Sequence, residues 1–143
     1  NIIGNNQLSK FGMVVPKFIE AALENKPLII HGDGTQTRSF TWVGDVVNYF
    51  YLLAEKQLYG EIFNIGQTEE ISIKNLAEMI IKETDSKSEI IFKTHKEVYG
   101  EKFEDPMRRT PSINKIVDAT DYLPTMTIPE MIKEIIDYKK LNS

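Results

Sequence analysis

The chain has no cysteine, and only two histidines and one tryptophan, among its 143 residues. It therefore has no disulfide bond, no thiolate metal site and no cysteine nucleophile. A chain without cysteine suits a reducing compartment, and we expect a cytoplasmic protein. No apolar run reaches the roughly 18 residues that a membrane-spanning helix needs, so we expect no membrane partner.

Positive charge is also scarce. Seventeen lysines and arginines stand against 21 aspartates and glutamates, which gives a net charge of −4 and a pI of about 5.3. The basic residues are scattered, whereas nucleic-acid binding needs a clustered basic face. We therefore expect no nucleic-acid partner. No pair of histidines and carboxylates has the spacing of metal ligands, which predicts no metal site.

The hydrophobic content, 41%, is enough for a single domain with a sizeable core. The chain begins at Asn1 without an initiator methionine, and we interpret it as a fragment of a longer protein. Helical and strand-like patterns alternate along it, which is typical of an α/β fold. Apolar spacing predicts helices over 14–24, 44–55, 73–81, 112–119 and from 127 onward, strands over 28–30, 40–43, 61–65 and 89–93, and a long loop over 94–111.

The segment from His31 to Asp45 is the most informative stretch of the sequence. Gly32 and Gly34 allow the chain to reverse and to pass close to a ligand. Arg38 follows the turn, and its planar charged fork suits phosphate oxygens. An ordinary β-turn with a surface arginine is the alternative. Asp45 is expected in the first turn of a helix, where the helix dipole favours a carboxylate.

Five sequence blocks follow one another in a fixed order. They are Asn1-Ile2-Ile3-Gly4, Val15-Pro16-Lys17-Phe18-Ile19, residues 32–45, Phe63-Asn64-Ile65-Gly66 and Asp105-x-x-x-Arg109-x-Pro111-Ser112-Ile113. Together they resemble the carboxy-terminal half of the extended short-chain dehydrogenase/reductase family, the NAD-dependent nucleotide-sugar epimerases, dehydratases and decarboxylases. The resemblance spans nearly the whole chain.

This resemblance implies that residues 1–143 are one substrate-binding fragment of a Rossmann-type α/β enzyme. The fragment would lack the enzyme's main dinucleotide-binding sheet. Strands at about 39–43 and 62–65 would then associate with the absent NAD-binding domain. The family's glycine-rich cofactor turn and its Tyr-x-x-x-Lys pair do not occur here. We therefore expect NAD to be bound mainly by the absent part. The fragment would hold no catalytic or cofactor-binding residue and would be inactive alone.

The resemblance also implies roles for individual residues. The asparagine that matches Asn1 reaches the sugar-phosphate end of the substrate, and two arginines grip the diphosphate from opposite sides. A helix N-terminus meets the diphosphate, and a strand end lies near the base, where the family usually has an aromatic residue in place of histidine. Carried onto this sequence, the substrate-binding residues are Asn1, Val14, Val15, Ile29, His31, Arg38 and Arg109.

The reaction is less sharply indicated. Residues 99–105 resemble a loop of UDP-glucuronate decarboxylases, in which the arginine that matches Arg109 has an active-site role. We favour a sugar-nucleotide epimerase or dehydratase that recognises a UDP- or dTDP-sugar, with the decarboxylase as the alternative. A non-catalytic nucleotide-binding or interaction module is a third possibility. Open strand edges and apolar faces predict a homodimer or an element-exchanged oligomer.

Overall fold

The structure is a computed structural model that describes residues 1–11, 13–94, 97 and 105–142, without the side chain of Phe11. Helices and short strands alternate along it. After β1 a short 3₁₀ turn, Ser9–Phe11, leads toward the first helix. The helices are α1 (Val14–Leu23), α2 (Val43–Glu55), α3 (Ile73–Thr84), α4 (Asn114–Thr120) and α5 (Ile128–Leu141), and the strands are β1 (Ile2–Ile3), β2 (Leu28–His31), β3 (Thr37–Ser39), β4 (Thr41–Trp42), β5 (Glu70–Ser72) and β6 (Ile90–Lys93).

The described strands pair two by two. β1 runs parallel to β4, and β2 runs parallel to β6 with Leu28 opposite Ile90. β3 runs antiparallel to β5, with Arg38 opposite Ile71. The main core lies where α1, α3 and α5 pack around β2, and Leu28, Leu76 and Ile132 are fully buried in it. β2 is therefore part of the core, and the turn after it leads into β3.

Local sequence signals explain where the helices begin. Ser72 precedes α3, and its hydroxyl accepts a hydrogen bond from the Asn75 N–H at 3.1 Å. Thr127 and Glu130 form the predicted capping box at the start of α5. The helices predicted over 14–24, 44–55 and 73–81 are confirmed within a few residues. The short helix predicted from residue 112 begins two residues later, at Asn114.

The strand predictions fare less well. The strand predicted over 61–65 is wrong for the described structure, in which this segment has no strand pairing and Ile62 is 87% exposed. A strand needs backbone hydrogen bonds to a neighbouring strand. In the described residues this segment is bonded to its neighbours through side chains, with Asn64 donating to the Ser112 carbonyl and Lys115 donating to the Ile62 carbonyl. The segment predicted over 39–43 is split at Phe40, because β3 pairs with β5 whereas β4 pairs with β1. Half of the loop predicted over 94–111, residues 95, 96 and 98–104, lies outside the described residues.

Candidate functional site

A cavity of about 1070 Å³ opens between the start of α1, the ends of β2 and β3, and residues 105–109. Partly exposed apolar side chains such as Val14, Ala21 and Ile29 contribute to its wall. The structure brings every predicted substrate-binding residue to this one cavity: Asn1, Val14, Val15, Ile29, His31, Arg38 and Arg109.

The glycine turn between β2 and β3 shapes one side of the cavity. Gly32 and Gly34 have φ angles of 80° and 79°, the left-handed region that glycine adopts without strain. The side chain of Asp33 accepts hydrogen bonds from the N–H and hydroxyl of Thr35, at 2.9 and 2.7 Å. Gln36 then donates its amide to the His31 carbonyl at 2.7 Å. The turn therefore returns the chain beside β2 and delivers β3 to the cavity.

The same turn is joined to α3. The N–H groups of Ile73 and Lys74, in the first turn of that helix, donate to the carbonyls of Gln36 and Gly34 at 3.1 and 3.0 Å. A Cβ atom at Gly34 would lie 3.0 Å from the Cβ of Lys74. Gly34 therefore lies close to α3, one of the helices of the main core.

The N-terminus of α1 supplies hydrogen-bond donors at the cavity. Met13 precedes the helix and provides no side-chain cap, and the first N–H groups of any helix have no intrahelical acceptor. Pro16 has no N–H, so the donors of this first turn are those of Val14 and Val15. A helix N-terminus carries partial positive charge, which makes this end of the cavity favourable for an anion.

Arg38 is a buried residue, with 9% of its side chain exposed. Its Nη1 donates to the carbonyls of Thr37 and Pro106 at 2.7 and 2.9 Å, and its Nη2 donates to Asp105 Oδ1 at 2.5 Å. A buried guanidinium needs a counter-charge and acceptors of this kind. Much of the donor capacity of Arg38 is therefore used within the protein.

Arg109 is in a different environment. Its side chain is 56% exposed, and its Nη2 lies 3.6 Å from the same Asp105 Oδ1. The Asp105 carboxylate therefore lies between the two arginines, and the three side chains together carry one net positive charge. The sequence motif contains Asp105 but does not assign it a contact with Arg38, which is 67 positions away. The four-residue spacing from Asp105 to Arg109 is the one local signal for this cluster.

Residues 105–109 are also attached to β3 and β5. The Thr37 N–H donates to the Met107 carbonyl at 2.8 Å, and the Ser39 hydroxyl donates to the Arg109 carbonyl at 3.3 Å. Arg108 pairs with Glu70 of β5, with its Nη2 2.6 Å from Oε2. Hydrogen bonds from Arg108 and then from Thr37 lower the pKa of Glu70 to about 2.

Two other polar residues have structural partners. The Asn1 side chain donates to the Ser39 carbonyl at 3.0 Å, which ties it to the end of β3. Asp45 is only 2% exposed. Its Oδ1 accepts hydrogen bonds from the Tyr122 hydroxyl at 2.5 Å and from the Thr125 hydroxyl at 3.0 Å. Burial, followed by the hydrogen bond to Asp45, raises the pKa of Tyr122. Asp45 thus anchors the segment before α5, a role that its helix position alone does not predict.

No three histidine, cysteine, aspartate or glutamate side chains in the described part of the chain are grouped as metal ligands. None of the described helices is long and apolar enough to cross a bilayer. His95 and the loop residues 99–104 lie outside the description.

The α/β architecture, with the glycine turn, the arginine after it and the cavity beside α1, has the arrangement that the resemblance to the extended short-chain dehydrogenases/reductases implies. Residues 1–66 match the sequence model of the "NAD dependent epimerase/dehydratase family". The chain is similar to this family over these first 66 of its 143 residues. The predicted resemblance and α/β fold are thus confirmed.

Particular relatives carry several activities. A UDP-N-acetyl-alpha-D-glucosaminuronate decarboxylase of Bacillus cytotoxicus is 36% identical over 125 residues, covering 87% of this chain and 39% of that protein. A dTDP-D-glucose 4,6-dehydratase of Homo sapiens is 42% identical over 93 residues, covering 63% of this chain and 26% of that protein. The crystal structure of a UDP-glucuronic acid 4-epimerase from Bacillus cereus, in complex with UDP-glucuronic acid and NAD, superimposes with a TM-score of 0.85 and 31% identity, over 100% of this chain and 44% of that one. The chain spans less than half the length of each of these relatives.

Proposed function

We propose that this chain is the nucleotide-sugar recognition half of an NAD-dependent sugar-nucleotide epimerase or dehydratase. The observation that carries the proposal is the cavity in which the α1 N-terminus and Arg109 provide positive charge beside an apolar wall. A nucleoside diphosphate has matching chemistry, with an anionic centre and a flat base. The nucleotide sugars named for the relatives support the same ligand class.

In this proposal each part of the cavity holds one part of the ligand. The diphosphate lies at the N–H groups of Val14 and Val15 and accepts hydrogen bonds from Arg109. The base lies by Ile29 and His31, and the sugar lies toward Asn1. Binding of the nucleotide, which does not react, then orients the sugar for the chemical step.

The glycine turn of this chain packs against its own core, since a Cβ atom at Gly34 would lie 3.0 Å from the Cβ of Lys74 in α3. The sequence also lacks the family's glycine-rich cofactor turn. We therefore propose that NAD, which supplies hydride transfer when bound, is held by another part of the protein. Without that part we expect this chain to bind substrate and to be catalytically inactive.

We also propose that the NAD-binding part covers the outer face of α2. This face exposes Val43, Val47, Phe50 and Tyr51, and Ile62 is exposed in the unpaired segment that follows α2. Contiguous apolar patches of this kind mark interaction surfaces. The unpaired segment 62–65 would gain its strand partners in the same contact.

The decarboxylase is the second candidate function. The relative that is 36% identical over 87% of this chain is a decarboxylase, and Arg109 is exposed at the cavity, with donors that Asp105 does not occupy. In that reading Arg109 would contact the reacting sugar carboxylate in addition to holding the diphosphate.

Calorimetric titration of UDP into the full-length protein tests the proposal. We expect saturable binding that Arg109→Ala weakens by about ten- to a hundredfold, the value of one charge-assisted hydrogen bond. Lys115→Ala is the matched control, because it removes an exposed cation that pairs with Glu61 and does not line the cavity. Absence of UDP binding, or equal effects of the two variants, would overturn the assignment. If Arg109→Ala weakens the binding of a carboxylate-bearing UDP-sugar more than it weakens the binding of UDP, the result would favour the decarboxylase.

A further inference from the structure

We propose that Arg108 and Glu70 form a positioning pair that fixes where Arg109 presents its guanidinium to the ligand. Neither residue lines the cavity, whereas Arg109 does. The inference rests on the proposed binding of a nucleoside diphosphate, and it assigns a specific part of that binding to two residues outside the site.

The pair itself has well-defined geometry. Arg108 donates from Nε to Oε2 of Glu70 at 2.7 Å, and its Nη2 lies 2.6 Å from the same oxygen. The other carboxylate oxygen of Glu70 accepts the Thr37 hydroxyl at 2.7 Å. Glu70 belongs to β5, where it lies opposite Ser39 of β3. The pairing of β5 with β3 and the Thr37 hydroxyl thus hold the Glu70 carboxylate in place independently of Arg108.

The neighbouring contacts show what the pair constrains. On the cavity side, Asp105 binds Arg38. In the middle, the Met107 carbonyl accepts the Thr37 N–H. On the other side, Arg108 binds Glu70. Residues 105–108 are therefore fastened to β3 and β5 at three points, and Arg109 is the next residue along.

Arg108 and Arg109 diverge from adjacent backbone positions. One side chain is bound to β5, and the other lies at the cavity. Fixing Arg108 therefore restricts the backbone from which the half-exposed Arg109 extends. Without the pair, the Arg109 backbone would keep the bond from the Ser39 hydroxyl and the nearby Met107 contact but would lose one of its constraints. The ligand would then have to supply part of the ordering of Arg109, which would reduce the net binding free energy.

Direct electrostatic action on the ligand predicts a different result from positioning. If the two charges acted on the diphosphate through space, loss of Arg108 would weaken binding and loss of Glu70 would strengthen it. Positioning predicts that both losses weaken binding, because either one releases the segment. The sign of the Glu70 effect therefore separates the two mechanisms.

The test is calorimetric titration of UDP into the full-length protein and its variants. We expect Arg108→Ala and Glu70→Gln each to raise the Kd by about three- to fivefold, the range of an exposed ion pair. In an Arg109→Ala background we expect most of this loss to disappear, because the residue being positioned is gone. Lys115→Ala and Glu61→Gln remove a similar exposed pair elsewhere and serve as matched controls.

Three results would overturn the inference alone while leaving the proposed function intact. In the first, Arg108→Ala and Glu70→Gln bind UDP as tightly as the wild-type protein. In the second, Glu70→Gln binds UDP more tightly than the wild-type protein. In the third, the two changes weaken UDP binding by the same factor in the Arg109→Ala background as in the wild-type background. Absence of UDP binding by the wild-type protein would overturn the proposed function and the positioning pair together.

Discussion

Asp105 is the counter-ion of Arg38, with Oδ1 2.5 Å from Nη2 across 67 positions of sequence. The family resemblance implies that Arg38 and Arg109 grip one diphosphate from opposite sides. The structure separates their environments, since Arg38 is buried among protein acceptors and Arg109 is half exposed. This difference suggests that Arg38 organises the segment that carries Arg109.

Removal of Asp105 should destabilise the fold. Asp105→Ala leaves the buried guanidinium of Arg38 without its counter-charge, and breaking such a pair costs about 3 kcal/mol. Urea unfolding measures the change. Asp118→Ala, which removes an exposed carboxylate from α4, is the control and should shift stability little. Equal stability of the two variants would contradict the counter-ion role.

The two arginines should respond differently to truncation. We expect Arg38→Ala to lower both stability and UDP affinity, because it removes three contacts to the chain. Arg109→Ala should lower UDP affinity with little change in thermal midpoint, since its side chain is largely solvated. The affinity loss of the double variant should be smaller than the sum of the single losses, because both act on one segment and one ligand. Strict additivity would indicate two independent residues.

The stability of the protein should fall with acid in a way that depends on Glu70. Its folded-state pKa is about 2, below its ordinary value of 4.5. The contribution is therefore complete above the unfolded-state pKa and is lost as pH falls from about 5 toward 2. In Glu70→Gln the unfolding free energy should decline less steeply between these values. Arg108→Ala should flatten the curve in the same way, because it removes the main cause of the shift. An unchanged slope in both variants would refute the assignment.

The 143-residue chain produced alone should self-associate through the outer face of α2. Val47 and Phe50 are 61% and 62% exposed there. A double change, Val47→Lys with Phe50→Glu, should shift the chain to monomer in light scattering without loss of stability, because neither side chain packs in the core. Glu83→Lys, on the exposed part of α3, is the control and should leave association unchanged. A strictly monomeric wild-type chain would rule out this surface.

Helices could be predicted from the sequence because their signals are local. The apolar spacing of α3 and the cap at Ser72 lie within a few residues of each other. The site residues could be predicted through the order of the five blocks. The burial of Arg38 could not be predicted, because its partner Asp105 is 67 positions away and no local sequence pattern links the two residues. The segment 61–65 failed as a strand because composition reports a preference for extended backbone, whereas pairing depends on a neighbour.

The turn at Gly34 has a consequence for how this protein can vary. Its carbonyl accepts a hydrogen bond from α3, and an added Cβ would meet both Lys74 and Ile30 at this left-handed position. A side chain there would displace the helix or the turn, and the turn carries β3 toward the cavity. Substitution of Gly34 should therefore be poorly tolerated, although Gly34 does not contact the proposed ligand. Specificity would more readily diverge at exposed positions such as Ile29, where a new side chain changes the wall and leaves the framework in place.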